Sequence, residues 1–145
     1  MVHCRGHNGP SVGVEVVNLY HPPRNQDGPW STSMSAPWAH RDHYLLPTVD
    51  QCGALAEVIA WLVEVLPIPW VWHGFEEAHN RWWLHQLDSH SRAPGIWSHQ
   101  QVGDHSDGSW PLLVAFLHLD RGMTIDDAWE FARVAATGVR RSATL

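Results

Sequence analysis

The sequence contains no lysine; all nine of its cations are arginine. Whatever the cause of that bias, chemistry needing an ammonium nucleophile or the lysine of a phosphate-binding loop is excluded. Cysteine is nearly as scarce. Cys4 and Cys52 are the only two, too few for a disulfide scaffold or a thiolate zinc cluster, and whether they pair with each other is left open. Charge is thin as well, at 17% of residues against the usual quarter or so, but a 44% apolar content excludes a disordered chain. The net charge of −6 leaves no basic patch able to neutralise several phosphates, so neither nucleic acid nor an anionic membrane surface is an expected partner. Long apolar runs are missing too. None nears the roughly 18 residues of a membrane span, and the first residues lack the apolar stretch of a signal peptide, so the chain reads as soluble with no membrane span.

Against these gaps stand two excesses, twelve histidines and ten tryptophans among 145 residues. Histidine is the commonest zinc ligand, and tryptophan offers a flat apolar face with one donor, suited to sugar rings and interfaces. The length allows one core and little more.

Val12 to Val17 alternates as a strand, with Val12, Val14 and Val16 on one face and Glu15 on the other. Leu19 to Pro47 is rich in Pro, Asn, Asp, Gly, Ser and His and reads as a long surface loop. Thr48 and Gln51 form a capping-box pattern ahead of Cys52, Leu55, Ile59, Leu62 and Leu66, an amphipathic helix ended by Pro67. Pro69 to Gly74 reads as a short buried strand and turn, Glu76 to Leu87 as a mixed helix, and Ile96 to Ser98 as a short strand delivering His99. Trp110 to Leu119 is apolar enough for a packed helix. A last helix starts near Thr124, capped toward Asp127, carries the stripe Ile125, Ala128, Trp129, Ala132, Ala136, and stops at Gly138. Alternating elements of both kinds argue an α/β domain, a mixed sheet flanked by helices.

The chemistry-bearing segment is SHQQVGDHSDG, in which a flexible turn through Gly103, Asp104 and Ser106 separates His99 from Asp107. Zinc takes N and O ligands, and a catalytic site needs three plus a water. By spacing alone two such residues are half a site, and in a chain this rich in histidine a solvated loop is the plainer reading. Three blocks in order add a resemblance to the type 2 N-acetylmuramoyl-L-alanine amidases, which share their fold with the peptidoglycan recognition proteins. NGPSVGVEVVN resembles the family's Asn…Ser-Ile-Gly-Ile-Glu strand through Asn8, Ser11, Gly13 and Glu15. TVDQCGALAEVIAWLVEVLPIP resembles its long helix, and GIWSHQQVGDHSDGSWP its Gly-Ile…Gly-His block ending in Asp-Pro-Gly.

The resemblance covers about Val2 to Leu117 and implies a domain over residues 1–120, with 121–145 a C-terminal helix and tail. It implies a monomeric enzyme with a Zn2+ cofactor and a peptidoglycan substrate, acting at the cell wall. His99 and Asp107 would be metal ligands, Glu15 the proton shuttle for the zinc-bound water, and His105 the group steadying the oxyanion. A histidine's ordinary pKa of about 6.5 makes that last role depend on pH. The sequence departs from the family at Asp107-Gly108-Ser109, where the family has Asp-Pro-Gly. The family's first zinc histidine lies on a strand upstream of anything in this chain, which points to a missing N-terminal part; His3, His7, His40 and His43 are the substitutes at hand. The alternative is a non-catalytic peptidoglycan-binding module on the same fold.

Plainer readings exist for each residue. Glu15 could face solvent on a half-exposed sheet, and His40 with His43 could be loop surface. Trp30, Trp38, Trp72, Trp82, Trp83 and Trp97 are each better read as packing, with one or two touching ligand. Asp88, His90 and Ser91 have the residue types of a hydrolytic triad, but sequence neighbours rarely assemble one.

Overall fold

The computed structural model describes residues 11–16, 33–34, 44–75, 93–98 and 109–138. In chain order its elements are β1 (Ser33–Met34), β2 (Tyr44–Leu45), α1 (Val49–Val65), α2 (Ser109–Arg121) and α3 (Ile125–Gly138). Each helix packs against the other two.

α1 begins where the sequence says it should. The Gln51 backbone N–H donates to Thr48 Oγ1 at 3.2 Å, and the Thr48 N–H donates to Gln51 Oε1 at 2.9 Å, closing the capping box from both sides. It ends at Leu66, whose extended backbone (φ −120°, ψ 149°) is what a residue preceding Pro67 is restricted to. Cys52, Leu55, Ala56 and Ile59 are buried, three- and four-residue steps that hold one face against the core. Gly53 lies against α3, where a Cβ built on it would stand 3.8 Å from Ile125 Cγ1.

α2 is the central element. Every residue from Ser109 to Leu117 is buried, because the run has no polar face to show and must be covered on all sides. Gly122 ends it at φ 68°, a left-handed conformation that favours glycine. His118 Nδ1 then donates to the Met123 carbonyl at 2.7 Å. α3 starts as expected: Thr124 Oγ1 accepts from the Asp127 N–H at 3.1 Å and donates to Asp127 Oδ2 at 2.6 Å. Asp126 and Asp127 in its first turn face the positive end of the helix dipole. Ala128 and Ala132 are fully buried, small enough to let α3 close on its neighbours, and Trp129 Nε1 donates to the Pro47 carbonyl at 2.8 Å. Ile125 and Trp129 are half-buried, while the side chain of Ala136 lies outside the described residues. An aromatic group closes one end of the core. Trp70 stacks on Phe116 (centroids 4.7 Å apart, planes at 8°), and Trp72 and Phe75 meet the same ring at 5.2 and 5.8 Å.

The expected α/β fold is overturned: the described structure is all-α, three helices around one core, with no β-layer. Among the described residues, extended pairing amounts to Ser33 opposite Leu45 and Met34 opposite Tyr44, antiparallel, and one parallel bridge between Trp72 and Ile96. The short strands expected at Pro69–Gly74 and Ile96–Ser98 do meet, but over that bridge alone. Residues 11–16 form no strand. Val12 and Val14 are 56% and 44% exposed, and Val16 packs against the core. Alternation selects a face only when a neighbouring strand supplies ladder hydrogen bonds, and this segment pairs with none among the described residues. The end of the expected surface loop is also corrected, since Leu46 and Pro47 are buried and the Pro47 carbonyl accepts from Trp129. Glu76 to Leu87 lies outside the described residues.

Candidate functional site

The segment singled out by sequence is framed by two short stretches that are tightly held. Residues 93–98 lie along 71–73. The Ile96 N–H donates to the Val71 carbonyl at 2.7 Å. This approach requires Gly95, at φ 145°, because a Cβ there would come within 2.7 Å of Val71 O and 2.8 Å of His73 Nε2. His73 Nε2 donates to the Pro94 carbonyl at 3.0 Å, and its ring stacks on Trp97 (4.4 Å, 19°). Trp97 Nε1 donates to the Ala93 carbonyl at 3.0 Å. The carbonyl partner fixes the His73 tautomer with its proton on Nε2.

From there the chain reaches α2 through a buried hydroxyl pair. Ser98 Oγ and Ser109 Oγ are 2.7 Å apart, with the two residues 4% and 3% exposed. Ser98 immediately precedes His99, and Ser109 follows Asp107 by two residues. The pair therefore ties together the two ends of the segment 99–108. His99, His105 and Asp107 themselves lie outside the described residues, as do His3, His7, His40, His43, Asp88, His90 and Ser91. Glu15 is described and exposed, on the segment that forms no strand.

Zinc is the group the resemblance implies. An imidazole and a carboxylate are suitable donors for it, and the described residues add no group of three or more metal-capable side chains. Of the expected aromatic contacts, Trp72 is a core residue at 4% exposure and Trp97 is half-buried against His73. Trp30, Trp38, Trp82 and Trp83 lie outside the described residues.

Sequence reasoning missed His73, Gly95 and the serine pair. Gly95 following Pro94 carries a readable turn signal, but two serines eleven residues apart carry none. No family model, curated protein or solved structure matches the chain.

Proposed function

We propose that the chain is a zinc-dependent amidohydrolase acting on peptidoglycan, at the amide between N-acetylmuramic acid and the first L-alanine of the stem peptide. The supporting observation is the Ser98–Ser109 pair, since ligands contributed from both ends of one short segment need those ends held together. His99 and Asp107 hold the metal in this reading, and a zinc ion there would lower the pKa of its bound water and polarise the scissile carbonyl. With zinc bound, Glu15 would accept a proton from that water and His105 would donate to the oxyanion. Glu15 enters through the resemblance of the 8–18 block and not as a strand residue, since residues 11–16 form no strand; the rest of the proposal rests on the residues of the 96–110 segment and their resemblance.

One observation favours a second reading, a peptidoglycan-binding module without catalysis. The stacked His73–Trp97 pair leaves an indole half-exposed beside the segment, the kind of flat face on which a sugar ring rests.

The experiment measures zinc in the purified protein alongside release of stem peptides from cell walls, for the wild type, His99→Ala and Asp107→Ala. Bound zinc and peptide release, both lost in either variant with the helical signal intact, is the expected result. A folded protein free of zinc and releasing nothing overturns the enzyme, and cell-wall binding abolished by Trp97→Ala would then support the second reading.

A further inference from the structure

α1 is apolar on both sides. Its core face holds Cys52, Leu55, Ala56 and Ile59. On the opposite side Val58, Trp61 and Val65 are 40%, 58% and 50% exposed, and Ala54 is exposed beside them. A surface helix ordinarily turns polar residues outward, and contiguous apolar exposure of this kind marks an interaction site.

The spacing is that of a coiled-coil seam. With Val58 and Val65 at heptad position a, Ala54 and Trp61 fall at d, and Asp50, Glu57 and Glu64 all fall at g. All three carboxylates are exposed. The other flank, position e, is the buried Leu55 and the half-buried Leu62, and carries no charge. α1 contains no cation, and none of its three acids forms an ion pair among the described residues. Glu64 stands in the last turn, where the helix dipole disfavours a negative charge. A cation arriving from outside would offset that.

We propose that this face of α1 is a docking seam for an amphipathic helix of another protein, bearing Arg or Lys in the flanking row that meets Asp50, Glu57 and Glu64. Charge decides the occupant. A second copy of this chain would bring a net −6 and set against the acidic row either a second acidic row, packed antiparallel, or the uncharged Leu55 and Leu62, packed parallel, whereas a basic row pairs with all three carboxylates at once. The inference is independent of the chemistry proposed above.

The probe is a fluorescent synthetic peptide of about three heptads with Leu at a and d and Arg at e and g, with a Glu-flanked peptide as control. Anisotropy titrations are expected to show saturable, salt-sensitive binding of the Arg peptide and none of the Glu peptide. Glu57→Gln with Glu64→Gln, and separately Trp61→Ala, should each weaken binding at least about tenfold. These positions are exposed, so the variants retain the fold, checked by circular dichroism. Absence of binding, equal binding of both peptides, or binding indifferent to the variants overturns the proposal. So does a wild-type dimer in sedimentation that Trp61→Ala makes monomeric, which would assign the face to a second copy, or adsorption to lipid vesicles through Trp61 without peptide binding.

Discussion

Two glycines show how the same substitution takes opposite signs. Gly53 sits in mid-helix, where glycine costs roughly 0.5–1 kcal/mol relative to alanine, and an added Cβ meets Ile125 Cγ1 at an ordinary 3.8 Å. Gly53→Ala should therefore stabilise by about that amount in urea denaturation. At Gly95 the φ of 145° and the 2.7 Å approach to the Val71 carbonyl leave no room, and Gly95→Ala should destabilise by about 1–3 kcal/mol. The Cys52 thiol, free and buried, is pushed by that burial from its ordinary 9.0 up to about 12. Because the unfolded chain loses this proton first, the contribution is complete below 9.0 and is lost as pH rises from 9.0 toward about 12. With Cys4 replaced by alanine, so that Cys52 is the one thiol, native protein should resist thiol reagents at pH 8, and Cys52→Ala should flatten the fall of stability above pH 9 relative to wild type.

At the scale of elements, the helix starts carry measurable free energy. Thr48→Ala removes one half of a closed capping box and Thr124→Ala the cap of α3. Each should cost about 1 kcal/mol, and since the two sites share no partner the losses should add, as a double variant in the same titration will show. These caps were legible in the sequence because their signals are local: a hydroxyl, a partner three residues on, then apolar residues at helical spacing. Pro67 and Gly138 marked the helix ends for the same reason. What failed was everything needing a distant partner. Val12, Val14 and Val16 have the alternation of a strand and no ladder to join among the described residues, and Trp72 and Ile96 pair over a single bridge. The proposed site could be named only as residue types around His99 and Asp107, which lie outside the described residues, while the contacts of Gly95, His73 and the two serines flanking that segment arise from tertiary packing that local sequence does not encode.

At the scale of the whole molecule, one core serves the three described helices, so damage to one should spread. Ala132 is fully buried, and Ala132→Glu places an unpaired carboxylate among apolar side chains, a cost of several kcal/mol. The expected result is loss of the entire far-ultraviolet helical signal, in a single transition with wild-type protein as reference, and not the selective loss of α3. Retention of α1 and α2 in that variant would show that the core is divisible.

The burial of α2 from Ser109 to Leu117 bears on how the chain is made. During synthesis α1 is available first, but α3, which covers another side of α2, emerges afterwards. Until then Trp110 to Leu117 has an uncovered apolar flank, and at roughly 5–20 residues per second the interval is on the order of seconds. The ribosome-bound intermediate is thus the chain's most aggregation-prone form, and a chaperone that recognises short apolar stretches would find its binding sequence in the helix that the finished protein hides.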